Sequence, residues 1–419
     1  MKKSFTFLFS VCLAFCPSFC FADFVVGNIK YSPINATEAK VTGGSVSNEP
    51  LVIPATVYDE DEDITYNVVE IGDGAFDMWG GDGARINGSV TLPSTIRRIG
   101  DKAFNYQSFS SINLPEGLVY IGANAFEVNR NLHSIVIPST VEEIGNEAFC
   151  RSGLSYFYVL GSEPFKMGND VFLDVSGTDD DQNTVGFHIV TKKSSVEVFK
   201  GSWSDYVDVI TTDVPVTIKG EVPVYAGYGV VPTKGANTFC AGFAYDFSGA
   251  DGLKAYIVKS VYGGEVEASE IQDGIVPAGM GVILKGEKDK TYNAFIAENQ
   301  QAQLEETNLL VGVLANTKLT AISGDTVNYV FNDGVFTKFD DSDTWRSYVR
   351  KNTAYLPILS SEASEDSMLI KYDGVTDGIQ DLNAGKPKAD NKYYRIDGTV
   401  ESSPSNGLYI YNGKKIILK

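Results

Sequence analysis

The sequence predicts a mainly β protein with short helical turns: a short repeat solenoid, then a β-sandwich-like domain, then a C-terminal β-hairpin segment. Three observations carry this. The word "IGxxAF" recurs in "VEIGDGAF" (69–76), "RRIGDKAF" (97–104), "VYIGANAF" (119–126) and "EEIGNEAF" (142–149), with glycines 28, 22 and 23 residues apart. Between copies stands a second word ending in proline, in "SVTLP", "SINLP" and "SIVIP", with Pro93, Pro115 and Pro138 spaced by 22 and 23. From about Thr211 the period gives way to short apolar runs separated by Gly, Asp and Asn turns.

Residues 1–22, "MKKSFTFLFSVCLAFCPSFCFA", have two lysines, an apolar stretch and a small residue before Asp23, the layout of a cleavable secretory leader. The stretch is shorter than the roughly 20 apolar residues of a spanning helix, so no membrane span is expected. Cys12, Cys16 and Cys20 follow Val11, Phe15 and Phe19 rather than a small residue, which argues against a lipid-anchored variant. A secreted or cell-surface chain is expected. Loss of the leader leaves Cys150 and Cys240, too few for a disulfide framework or a thiolate metal site. Loss of Lys2 and Lys3 takes the formal charge from −20 to −22. So acidic a surface repels phosphate backbones, and no nucleic acid partner is expected.

Residues 23–212 read as the solenoid with its cap. A period of roughly 20–29 residues suits a leucine-rich repeat, in which each coil gives a strand and a turn to its neighbours. Alternation puts Val90 and Leu92 inward and Ser89 and Thr91 outward. Ile112 with Leu114, Ile135 with Ile137, and Phe157 with Val159 continue the inward row. In "IGxxAF" the isoleucine and phenylalanine face inward, alanine leaves room for the next coil, and glycine is expected to permit a tight bend.

"IPSTVEEIGNEAF" resembles the BspA-like bacterial leucine-rich repeats; "NATEAKVTGG" with "LVIPATV" is similar to that family's first coil, and 186–210 to its closing segment. The resemblance covers about 25–210 and implies adhesion or binding to host or bacterial surface partners. Few regular coils and the insertion "DMWGGDGARING" (77–88) depart from the pattern and leave a small concave surface.

Residues 213–372 carry "VPVTI", "KAYIVKSVY", "GVILKG" and "VNYVF", which suggest a β-sandwich. "ANTFCAGFAYDFSGADGLKAYIV" and "VPAGMGVILKG" look like an accessory β-domain of exported Bacteroidetes proteins. In 373–419 a linker to about Ala389 precedes strand pairs with Asp397-Gly398 and Asn412-Gly413 at their turns. This terminus resembles segments of exported Bacteroidetes proteins, some of them sorting signals; Arg395 and Thr399 depart from the pattern, and the alternative is an ordinary last hairpin.

The chain shows little chemistry. His133 and His188 stand apart from any Cys or carboxylate cluster in sequence, as expected of loop residues in solvent, and no zinc spacing occurs. A Cys150/His133 nucleophile pair needs sequence-distant residues to meet. The runs at 59–63, 179–181 and 340–343 lack the ligand spacing of an EF-hand and read as solvated loops. "AGMGVILKG" lacks the P-loop spacing and reads as a Gly-rich turn. With 54 acidic residues, some carboxylate pair is always available and discriminates nothing. No enzyme activity, cofactor or metal is expected; a carbohydrate-associated enzyme and a structural surface component are the alternatives. A protein or glycan ligand is expected on the outward strand positions: Ser89 and Thr91, Ser111 and Asn113, Ser134 and Val136, Tyr156 and Tyr158. Thr91, Asn113, Val136, Tyr156 and Tyr158 are the core of that face. The competing expectation is that 162–172 caps the two tyrosines.

Overall fold

The computed structural model describes residues 22–46, 50–79, 85–177, 184–219, 235–332, 334–341, 348–363 and 366–373 in full, and strands at 221–232 and after 374 by backbone alone. The leader except Ala22, residues 80–84 of the insertion, the acidic run 179–181, part of the run 340–343, and most of the linker lie outside these residues. Strands dominate, and the helical content among the described residues is Val196–Ser202 and a 3-10 turn at Ser204–Tyr206. The chain divides into two compact units, Met1–Thr191 with Glu197–Thr211, and Lys192–Val196 with Thr212–Lys419.

In the first unit each coil contributes a short strand, a turn and a longer strand. The last two residues of the strand Ile64–Ile71 and the short strands Arg98–Ile99, Tyr120–Ile121, Glu143–Ile144 and Lys166–Met167 pair in parallel. At the N-terminal end Glu38–Gly44 joins them in parallel, after an antiparallel pair, Phe24–Val26 with Ile29–Pro33. The longer strands form two parallel ladders. One holds Leu51–Val52, Asn87–Thr91 and Ser108–Asn113; the other holds Ser134–Ile137, Tyr156–Val159, His188–Val190 and Ile210–Thr211.

The turns form a wall of their own. Lys102, Phe104 and Tyr106 donate their N–H groups to the carbonyls of Ala123, Ala125 and Glu127 one coil on, at 2.8, 2.9 and 2.9 Å. Such alternate bonding requires left-handed backbone at fixed positions, and Lys102, Asn124, Glu147 and Asp170 all have φ of 54–55°. Behind this wall the repeat phenylalanines stack face to face. Ring centroids are 5.5 Å apart for Phe76 and Phe104, 5.6 Å for Phe104 and Phe126, 5.2 Å for Phe126 and Phe149, and 6.0 Å for Phe149 and Phe172. Phe109 and Phe157 of the longer strands pack edge-on against this column.

Three expectations are corrected here. Gly100, Gly122 and Gly145 do not adopt positive φ, so a tight bend is not what they supply. A Cβ on Gly122 would lie 2.4 Å from the Asp101 nitrogen and the Gly100 carbonyl carbon, and one on Gly145 2.5 Å from the Ala123 nitrogen. Glycine is needed because the coils touch there. Next, most of the segment 162–172 expected as a cap is a further coil: "MGNDVF" (167–172) is a fifth turn, with Gly168 meeting the Asn146 nitrogen as Gly145 meets Ala123 and Phe172 ending the ring column. Its Met and Val replace Ile and Ala, which hides it, although Gly168 and Phe172 keep the 23-residue spacing. Finally, Ile112 and Leu114 are only half-buried, at the break between the two longer-strand ladders, and Phe109 fills the core there.

In the second unit the expected runs lie on strands Val214–Ile218, Lys254–Tyr262, Val282–Lys285 and Thr326–Asn332. The largest sheet has 11 strands and is antiparallel except where Glu265–Glu270 runs parallel to Ser367–Tyr372. Its core gathers Tyr256, Val258, Ile283, Tyr329, Phe336, Leu356 and Ile370. In the Gly-rich turn Gly279 has φ of 73° with open space around it, while a Cβ on Gly281 would lie 2.7 Å from that of Ala354. Near the C-terminus Tyr393–Tyr394, Val400–Glu401, Gly407–Tyr411 and Lys414–Leu418 pair antiparallel in a four-stranded sheet; the two turn dipeptides lie outside the described residues.

Candidate binding face

Outward positions of the longer strands fall into two rows. In one, Ser89 is level with Ser111, and Ser134, Tyr156 and His188 are level with one another. In the other, Thr91 is level with Asn113, and Val136, Tyr158, Val190 and Thr211 are aligned. Parallel pairing thus brings residues 21 to 32 positions apart in sequence side by side.

Accessibility varies sharply along the rows. Thr91 and Asn113 are exposed, Val136 and Tyr156 half-buried, Tyr158 9% exposed and Val190 fully buried. Tyr158 therefore does not present an open ring, which corrects its place in the expected face. Ser89 is also buried, beside the register shift at Gly88, and the Ser111 hydroxyl is enclosed without a hydrogen-bond partner among the described residues.

Asn113 is exposed, yet its amide is engaged. Its Oδ1 accepts from the Leu92 N–H and its Nδ2 donates to the Leu92 carbonyl, both at 2.9 Å. The side chain thereby extends the ladder one step beyond Thr91. Asn113→Ala is expected to lower stability by about 1 kcal/mol, measured by denaturant titration, through two lost hydrogen bonds to Leu92.

His188 was not among the expected face residues, and it belongs there. Its ring stacks on Tyr156 at 5.5 Å and 21°, and Tyr156 stacks on Tyr158 at 5.9 Å and 11°. The Nε2 atom lies 3.2 Å from the Val185 carbonyl. The sequence signal was the strand "HIV", whose first residue occupies an outward position. The accessible aromatic step is therefore Tyr156 with His188, backed by Tyr158.

The other histidine and both described cysteines are enclosed. His133 is buried, not solvated as expected, and its Nδ1 lies 3.2 Å from the Gly153 carbonyl. Burial pushes the Cys150 thiol up, and the Cys240 thiol up to about 12, keeping both protonated. Cys150 lies with Glu127 and Glu147 in the one group of potential metal ligands among the described residues. Arg151 pairs with Glu127 at 3.1 Å, and the Asn124 amide donates to Glu127 at 3.0 Å and to Glu147 at 3.5 Å. These contacts account for the cluster as structural neutralisation.

Several of the charged letters that vary between repeats also have partners. Lys40, Glu70, Arg98, Tyr120, Glu143 and Lys166 form one cross-strand row on the short strands. Arg98 pairs with Glu70 at 2.8 Å and sits 5.0 Å over the Tyr120 ring, and Lys166 pairs with Glu143 at 2.7 Å.

Against known proteins, the BspA type leucine-rich repeat region matches residues 60–177 in six copies. No curated protein matches the chain. Among solved structures, a leucine-rich repeat protein from Bacteroides ovatus is 26% identical over 41% of this chain and 41% of its own, with a TM-score of 0.34. One from Bacteroides capillosus is 31% identical over 33% of this chain and 97% of its own, with a TM-score of 0.29. A leucine-rich cell surface protein from Faecalibacterium prausnitzii is 17% identical over 41% of this chain and 54% of its own, with a TM-score of 0.23. The chain thus spans less than half the length of the Bacteroides ovatus protein. Residues 60–177 are a BspA type leucine-rich repeat region, and the parallel ladders and stacked turns are its coils.

Proposed function

We propose that this chain is a secreted or cell-surface interaction protein that holds a protein or glycan partner on the outward face of its longer repeat strands. The observation that carries this reading is the half-exposed Tyr156 and His188 pair, its rings stacked and backed by Tyr158. Aromatic rings fixed by their neighbours give contact area at small entropic cost, and a phenol or imidazole edge adds a hydrogen-bonding tip. Thr91 supplies an exposed hydroxyl on the same side of the strands. The match to BspA type repeats supports a binding role over catalysis, as do the enclosed thiols.

The test is capture from panels of host-surface proteins and glycans, followed by variants. Tyr156→Ala is expected to weaken binding of the captured partner by at least about tenfold, as truncating an aromatic anchor does, with a cooperative unfolding transition retained. Thr91→Ala should have a smaller effect. Full affinity in the double variant Tyr156→Ala/His188→Ala rules this face out.

A further inference from the structure

The repeat stack ends at its fifth turn with an unused edge. Each earlier coil offers two backbone groups to the next. The carbonyl before the repeat glycine accepts that coil's glycine N–H, as Ile144 does from Gly168 at 2.8 Å. The N–H two residues after the glycine donates to the next coil, as Glu147 does to Asn169 at 2.9 Å. At the last coil the equivalent groups are the Met167 carbonyl and the Asp170 N–H, and neither has a backbone partner from a further coil among the described residues.

A groove of about 970 Å³ lies in front of these groups, between Pro164–Asp170 and Ser202–Tyr206. The cap touches the fifth coil on either side of it: the Trp203 indole donates to the Phe165 carbonyl at 3.4 Å, and the Tyr206 ring packs edge-on against Phe172 at 5.5 Å. Open edges of this kind take up extended chains by strand addition.

Charge selects the occupant. Lys166 is already paired with Glu143, while the carboxylates of Asp170 and Asp205 line the groove and are exposed. Tyr206 lines the groove between them, and burial, then Asp205 and Asp170, push its phenol up. We propose that this groove binds an extended, basic polypeptide segment, which adds parallel to Lys166–Met167 and sets a glycine against the fifth turn. The glycine follows from the stack, since a Cβ at that position meets backbone of the preceding coil at every earlier step.

The chain's own repeats supply the probes. A blocked peptide "RRIGDKAF" carries the glycine and a net positive charge, and "EEIGNEAF" carries the same frame with a net negative charge. Titrated into the full chain with Trp203 fluorescence and calorimetry as readouts, the first is expected to bind saturably and the second at least about tenfold more weakly. Sarcosine in place of the peptide glycine removes the N–H aimed at Met167 and should weaken binding about tenfold or more. Asp170→Asn/Asp205→Asn should weaken the basic peptide several-fold and strengthen the acidic one, narrowing the difference between them, while leaving the thermal midpoint unchanged.

No saturable binding of the basic peptide overturns the proposal, as does binding indifferent to sarcosine and to the two carboxamides. Sedimentation showing self-association abolished by the same carboxamides would assign the groove to a second copy and equally overturn it. A Trp203 response to an oligosaccharide but not to the peptide has the same consequence. Tyr156→Ala leaves peptide binding intact if this groove and the strand face are separate sites.

Discussion

Phe126→Ala is expected to destabilise the repeat unit by about 4 kcal/mol, the middle of the range for removing a buried phenylalanine. The ring is fully buried, sandwiched between Phe104 and Phe149 at 5.6 and 5.2 Å, and met edge-on by Phe109 at 6.4 Å. Its loss leaves a cavity in the middle of the column, which neighbours on parallel strands and hydrogen-bonded turns cannot readily close. For a unit of this size the corresponding midpoint falls by roughly 8–16 °C. Calorimetry of the full chain should show this in one transition, with the other unmoved. A loss below about 1 kcal/mol would mean that the ring column is not what holds the coils together.

Gly122→Ala adds a single methyl group and is expected to be almost as damaging, about 3 kcal/mol, the upper part of the overpacking range. The new carbon would sit 2.4 Å from the Asp101 nitrogen and the Gly100 carbonyl carbon, both main-chain atoms held in the ladder. No rotamer change relieves such a clash; the coils must part, lengthening the 2.9 Å bond from the Gly122 N–H to the Ile99 carbonyl. Gly74→Ala is the informative control. It meets nothing within 4 Å but has φ of 64°, so its cost of roughly 1 kcal/mol should come from backbone conformation alone. Equal losses at the two positions, measured by denaturant titration, would show that close approach is not the reason for the repeat glycine.

Much of the repeat unit was legible because its signal is periodic. Phe76, Phe104, Phe126 and Phe149 recur at the same place in "IGxxAF", and stacking equivalent turns stacks their rings. The fifth turn escaped because "MGNDVF" alters two of the four letters, while the contacts that define it, Gly168 on Asn146 and Phe172 on Phe149, lie between coils. The candidate face was less legible. Alternation gives the side of the strand on which Tyr158 stands but not what covers that side, and it says nothing of His188 meeting Tyr156 across 32 residues.

By itself the sequence determined the coil: its length, its inward isoleucines and phenylalanines, and the places where glycine must stand, all consequences of local geometry repeated at a fixed interval. The tertiary structure alone decided why the glycines are there, which outward residues reach solvent, and how the variable charges are matched, as in the row from Lys40 through Arg98 to Lys166. It also decided that the stack ends on an open edge beside Asp170 and Asp205. Each of these depends on the distance between backbones in neighbouring coils. A single coil's letters do not encode that distance; it is fixed only when the coils pack.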